Sequence, residues 1–301
     1  MNRGWWRWSG IAILLGLCLV AQTRAAEPTT EPLLRLETGM HTAAIKRLAT
    51  DKEGRWAVTV SEDKTARVWE VASGRFLRVW RPPQGDGHEG KLFAAALSPD
   101  GTTMALGGWT QFNDGQDALA PDGQTIYLVD RASGRLLQRI AGLPNVVTHL
   151  AYSPDGRWLV ASLGGTNGVR LFDAASGAEA GRDDDYKGAS YSAHFRADSR
   201  RLVTTSWDGQ IRLYTVKAGR LQLLKSAKLT GGARPFSASF SPDGRSLAVG
   251  FDDSTIVQVL DAETLAEVAR PATTGINNGY LNTVAWSVDG RFLFAAGRWN
   301  V

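Results

Sequence analysis

One cysteine, Cys18, four histidines and three methionines are all that this 301-residue sequence holds of those types. A lone thiol excludes an intrachain disulfide and a thiolate metal centre. The histidines, His41, His88, His149 and His194, pair at no metal-ligand spacing such as a helical i, i+4. His41, His149 and His194 read as structural side chains, and His88 as a solvated loop residue. Excess charge is missing too. Arg3, Arg7 and Arg24 stand in an acid-free stretch, 1–25, and the rest of the chain has 31 basic and 30 acidic residues. No basic stripe remains to neutralise phosphates, which excludes a nucleic-acid partner. A Gly-x-Ser-x-Gly elbow is absent. Gly164-Gly165-Thr166-Asn167-Gly168 lacks the lysine of a phosphate loop, and Asp183-Asp184-Asp185 lacks the alternating acids and distal glutamate of a calcium loop. The residues therefore assign no catalytic group, cofactor or metal, and the expectation is a protein that is not an enzyme.

Long apolar runs are also absent. Residues 11–21 form an eleven-residue run, too short for a span that needs about 20 apolar residues. Behind Arg3 and Arg7, and before Thr23-Arg24-Ala25, that run reads as the core of a signal peptide over 1–25. The expected address is periplasmic or secreted, with no membrane span left after cleavage. The alternative is an uncleaved anchor, with Trp5, Trp6 and Trp8 at the interface.

What the sequence has in abundance is one turn. It reads Ser98-Pro99-Asp100-Gly101, Ser153-Pro154-Asp155-Gly156, Ser241-Pro242-Asp243-Gly244 and Ser287-Val288-Asp289-Gly290, with variant copies at Thr50-Asp51-Lys52-Glu53-Gly54, one residue longer, and Arg196-Ala197-Asp198-Ser199. The last residues of these turns are 47, 55, 43, 45 and 46 positions apart. A period in the forties with strand-like content predicts a stack of small sheets. After each turn comes a short apolar run, such as Leu159-Val160-Ala161 or Leu202-Val203-Thr204, of the kind buried on both faces. A second run alternates apolar and polar residues, as in Val169-Arg170-Leu171-Phe172-Asp173. Gly74, Gly134, Gly177 and Gly219 then mark the next turn.

Each unit is thus four antiparallel strands, a to d. Sheets stacked around an axis bury faces that one sheet alone leaves exposed, and they shield edges. The predicted fold is an all-β propeller. After the leader come a lead-in over 26–40 with a lone outer strand, then blades at about 41–88, 89–145, 146–188, 189–232 and 233–278 and a partial unit at 279–301. That makes five complete blades and a truncated sixth.

The first unit resembles the WD-repeat family. Met40-His41 stands for its Gly-His pair, Ser61-Glu62-Asp63-Lys64-Thr65 for its b–c turn and Trp69-Glu70 for its Trp-Asp pair. The resemblance covers nearly all of the chain after the leader and is degenerate beyond this unit. It implies a buried hydrogen-bonded blade lock of His41, Ser61 or Thr59, Asp63 and Trp69. Blade four keeps Asp208 and Tyr214 at the same separation but lacks the His and the Trp. The resemblance also implies a natural protein that continues to a seven-bladed ring, a monomeric scaffold that recognises a protein partner, and a carboxyl-terminal effector such as a caspase-like peptidase. The alternatives are a propeller enzyme or small-ligand binder using the central channel, and an envelope-maintenance propeller of the Tol type.

The turns are monotonous, so function is expected on the opposite rim. There the residue eight positions after each turn varies: Glu62, Trp109, Gly164, Trp207, Asp252 and Arg298. An insertion over 110–124 lies on the same side. The candidate partner-binding residues are Trp109, Phe112, Tyr186, Tyr191, Trp207 and Tyr280, since rigidly held aromatics anchor protein interfaces. Packing beneath neighbouring loops is the equal alternative for Trp109 and Trp207.

Overall fold

A computed structural model describes residues 37–110, 123–277 and 279–299. The expected signal segment, most of the lone lead-in strand, and Phe112 with most of the 110–124 loop lie outside the described residues. Every regular element among the described residues is a strand. No helix among them is long and apolar enough to cross a membrane.

The strands form five four-stranded antiparallel sheets, each in plain sequence order. The first holds β1 (Ile45–Thr50), β2 (Trp56–Ser61), β3 (Ala66–Glu70) and β4 (Arg75–Trp80). The second holds β5 (Lys91–Leu97), β6 (Thr103–Trp109), β7 (Gln124–Asp130) and β8 (Leu136–Leu143). The third holds β9 (Val147–Tyr152), β10 (Trp158–Leu163), β11 (Val169–Asp173) and β12 (Glu179–Asp183). The fourth holds β13 (Ser190–Phe195), β14 (Arg201–Ser206), β15 (Gln210–Lys217) and β16 (Arg220–Lys228). The fifth holds β17 (Pro235–Phe240), β18 (Ser246–Phe251), β19 (Val257–Asp261) and β20 (Glu267–Ala269). A two-stranded sheet of β21 (Gly279–Trp286) and β22 (Leu293–Trp299) follows. The first strands lie side by side in order, β1 on β5, β5 on β9, β9 on β13, β13 on β17 and β17 on β21. That arrangement of blades is a β-propeller.

The core is divided among the blade interfaces, because each second strand feeds two of them. Leu159 and Ala161 pack toward the second sheet, while Val160, between them, packs toward the fourth. Leu202 and Val203 split in the same way. All five are fully buried, which is why these runs carry no polar alternation. Filling one such position contributes roughly 1.5–3 kcal/mol.

The repeated turn is a closed hydrogen-bonding unit. Ser153 Oγ donates to Asp155 Oδ1 (2.5 Å) and accepts from Trp158 N–H (2.9 Å), and Asp155 Oδ1 accepts from Arg157 N–H (3.1 Å). Ser98, Ser241 and Ser287 repeat this pattern. The fourth residue takes a left-handed backbone, with φ of 73° at Gly156, where glycine carries no penalty. In the variant copy Ser199 holds φ 60° with a side chain attached.

Candidate interaction rim and axial cavity

The first blade binds its loops to its strands through one buried chain of hydrogen bonds. Trp69 Nε1–H donates to Thr59 Oγ1 (2.8 Å), and Thr59 Oγ1 lies 2.8 Å from His41 Nε2, which accepts from it when His41 Nδ1 carries the ring proton. The Asp63 carboxylate only accepts, so His41 Nδ1–H donates to Asp63 Oδ2 (2.9 Å). Burial alone would push Asp63 up, but the Thr65 hydroxyl, Thr42 N–H and His41 all donate to it and hold it below the usual carboxylate range. Of the two hydroxyls that the sequence left open, Thr59 is the one in contact with His41. Ser61 instead donates to Ala43 O (3.1 Å) and accepts from Asp63 N–H (3.0 Å), tying the b–c turn to the incoming chain.

Blade four carries an equivalent network in different residues. Tyr186 OH meets Thr204 Oγ1 at 2.6 Å and Tyr214 OH at 2.9 Å, and Tyr214 OH donates to Asp183 Oδ2 at 2.7 Å. With the Tyr214 proton committed to Asp183, Tyr186 donates to Tyr214 and accepts from Thr204. The spacings match those of the first blade. Tyr186 precedes Thr204 by 18 positions as His41 precedes Thr59, and Tyr214 follows Thr204 by 10 as Trp69 follows Thr59. Arg212 pairs with Asp208 (2.6 Å) and stacks over the Tyr186 ring (3.9 Å). Burial pushes the Tyr186 hydroxyl up to about 12. Tyr186 is therefore no surface anchor: only 1% of it is exposed, and it stands where the first blade has its histidine.

The rim opposite the repeated turns is organised by a bulge. In the first strand of each complete blade one extra residue faces the second strand, at Lys46, Phe93, Thr148, Tyr191 and Phe236. A similar irregularity precedes Thr283 in the sixth sheet and includes Asn282. A bulge bends its strand and re-aims a side chain. Here all six residues line one axial cavity of about 820 Å³. Each stands eight positions before the last residue of its turn, the mirror of the variable position eight after it. From that second series Trp109, Trp207 and Asp252 line the same cavity.

Tyr191, Trp207 and Phe236 form its aromatic wall. Tyr191 lies 4.4 Å from Trp207 and 5.1 Å from Phe236 between ring centroids. Arg234 sits over Trp207 (5.2 Å) and Arg47 over Phe236 (5.8 Å). On the far wall Lys46 pairs with Glu62 (2.7 Å) and lies over Phe93 (5.5 Å). The Lys46 ammonium, with burial opposing it and Lys91 assisting, holds Glu62 below its ordinary value.

Of the sequence-derived candidates, the fold brings Trp109, Tyr191 and Trp207 together at the cavity. Tyr280 lies in β21 and is not among the described residues that line it. Sequence reasoning missed Phe93 and Phe236, because each precedes its turn inside what reads as an ordinary inner strand. The signal was the turn spacing counted backwards. His149 and His194 stand on inner strands and accept backbone N–H groups of the next blade, from Ala193 (3.3 Å) and Phe240 (3.4 Å). Burial pushes His194 down to about 4 and His149 well below its ordinary value. No group of three or more His, Cys, Asp or Glu side chains suited to a metal occurs among the described residues.

The repeated four-stranded blades define a β-propeller, and its first blade carries a His–Thr–Asp–Trp lock. The chain is similar to the WD-repeat family: the WD domain, G-beta repeat matches residues 33–70, 134–173 and 186–215. The last of these runs from Tyr186 to just past Tyr214, the span of the blade-four network. The chain is 26% identical over 207 residues to WD repeat-containing protein SL1-17 of Schistosoma mansoni, covering 68% of this chain and 62% of that protein. It is 28% identical over 184 residues to a guanine nucleotide-binding protein subunit beta of Arabidopsis thaliana, covering 58% and 44%. It is 24% identical over 322 aligned positions to human transducin beta-like protein 2, covering 89% and 70%. The match thus spans less than two thirds of the length of the first two relatives.

Proposed function

We propose that the protein is an exported, non-catalytic recognition propeller that captures a protein partner on the bulge-lined rim. The observation that carries this reading is the convergence of all six bulge-position side chains, three of them aromatic, on one cavity. Aromatic anchors held by strands rather than by loose loops bind with little ordering cost. The opposite rim offers the same Ser–Asp–Gly turn in blade after blade and has no comparable variety. Export rests on the leader pattern of 1–25 alone.

A photocrosslinking amino acid placed at Phe93 or Phe236, in the protein expressed with its leader, is expected to give a discrete adduct with an envelope or secreted protein. The same group at Arg245, beside a repeated turn, is expected to give none. Adducts from Arg245 with none from the two bulge positions would move the interface to the other rim.

The outer flanks support a further part of this reading, that additional blade strands complete the ring. Leu293 faces the fifth blade, while its neighbour Phe294 faces away and is 61% exposed. Likewise Ala49 packs toward the second blade, and neighbouring Leu48 is 59% exposed. A stop codon directly after Val301 in the gene, with the monomer stable in solution, would contradict this.

A further inference from the structure

The axial cavity contains a cation, Arg47, with no ion-pair partner among the described residues. Arg47 projects from β1 across the axis, and its Nη2 donates to Thr148 O (3.4 Å) and Tyr191 O (3.3 Å), both at the weak end of hydrogen-bond length. No carboxylate lies within ion-pair distance of it among the described residues, and its Nε is buried without an acceptor. Burial lowers the guanidinium to about 10, so it stays charged at neutral pH. A second donor in the same wall, Trp207 Nε1–H, is also buried without an acceptor. Unsatisfied buried donors are uncommon in folded proteins and each destabilises the site it occupies. Two of them in side chains that line one cavity, both lacking the same thing, point to a ligand that brings acceptors.

The surrounding charge has the same sense. Arg234 stacks on Trp207, and the contact its guanidinium makes is to a backbone oxygen, Asp252 O (3.1 Å). Asp252, the acid lining the cavity, accepts from Asn282 (3.2 Å) and is not paired with Arg47. The two arginines therefore flank the Tyr191–Trp207–Phe236 wall with no carboxylate within ion-pair distance of either among the described residues. We propose that the cavity receives an acidic side chain of the protein partner, its carboxylate seated on Arg47 and its neighbouring residues lying on the aromatic wall. A small rotation of the Arg47 side chain exchanges two long carbonyl contacts for a charge-assisted bond to a carboxylate. The proposal rests on the reading that the partner docks on this rim.

The test is selection of a displayed random peptide library on the whole protein. Binding is then measured for recovered peptides and for their Asp→Asn or Glu→Gln versions. The expected result is enrichment of acidic residues beside an apolar residue, with at least a tenfold loss when the acid is neutralised. That loss should vanish in the Arg47→Gln variant and persist in Arg47→Lys, which keeps the charge. Trp207→Phe, which removes the indole donor with its five-membered ring and leaves a smaller aromatic ring, should weaken acidic peptides and their neutral versions unequally. Thermal unfolding of each variant identifies any that fails to fold, and Arg47→Met then serves in place of Arg47→Gln, with the acid effect again abolished. Peptides without acidic preference, or an equal loss in wild type and Arg47→Gln, overturn the proposal. Should those peptides still lose binding on Tyr191→Ala, the rim stands and only the acidic occupant falls. Peptides indifferent to Tyr191→Ala would remove the rim as well.

Discussion

Two networks built from different residues do the same work in blades one and four. An imidazole bridges a threonine and an aspartate in the first, and a phenol bridges a threonine and a second phenol in the fourth. The WD pattern was legible in the sequence at His41, Asp63 and Trp69. Its tyrosine counterpart was not, because Tyr186 is neither a histidine nor next to a glycine. Only the 18- and 10-residue spacings carried it. Replacing Tyr214 by Phe removes the donor to half-buried Asp183 and the acceptor of the buried Tyr186 hydroxyl, at an expected cost of about 1–3 kcal/mol in urea unfolding. Tyr186→Phe should cost a similar amount, and the double variant less than the sum, since both changes break one network. Neither should alter partner binding, which separates this residue from the rim. Acid sensitivity belongs at this scale as well. His194 is held at about 4 in the folded chain, against about 6.5 when unfolded, so the unfolded state takes up a proton that the folded state refuses. Its contribution is full above pH 6.5 and falls as pH drops toward 4, by about 1.4 kcal/mol per unit within that window. His149 acts in the same direction. His194→Asn should flatten the dependence of unfolding free energy on pH between 6.5 and 4.

At the level of the element, the repeated turn specifies where strands end, and the bulge specifies what they present. The turns were fully legible because serine, aspartate and glycine each have a fixed backbone duty in them. The bulges were not, since no residue type marks them: Lys46, Phe93, Thr148, Tyr191 and Phe236 share only a position. Turn glycines allow a graded test. At Gly54 a Cβ meets nothing within 4 Å, so alanine should cost only the left-handed backbone term, roughly 1–2 kcal/mol. At Gly244 the same Cβ would come within 2.8 Å of Arg196 Cδ. That arginine bridges Asp198 and Glu263 (2.7 and 2.6 Å). Gly244→Ala should therefore destabilise more than Gly54→Ala in paired urea titrations. Equal losses would mean that the arginine moves aside freely.

For the whole molecule, the blade count of the described chain followed from one period, while the site followed from a symmetry within that period. Positions eight before each turn lie on first strands and positions eight after it lie at or just past the ends of second strands, so the first series and Trp109, Trp207 and Asp252 of the second meet at one cavity. Their chemistry is free to vary because the turns and inter-blade clusters hold the framework. The equal readings for Trp109 and Trp207 resolve into a single picture for Trp207, which packs on Tyr191 and also walls the cavity. Truncating it should therefore lower both stability and binding, whereas Phe236, at the edge of the stack, reports binding more cleanly. The most direct measurement is the affinity of the crosslinked partner for two variants of the whole protein, Phe236→Ala on the cavity wall and Asp243→Ala in the opposite turn. The account expects at least a tenfold loss, about 1.4 kcal/mol, for Phe236→Ala, and less than twofold for Asp243→Ala despite its lost turn bonds. A loss confined to Asp243→Ala would contradict it.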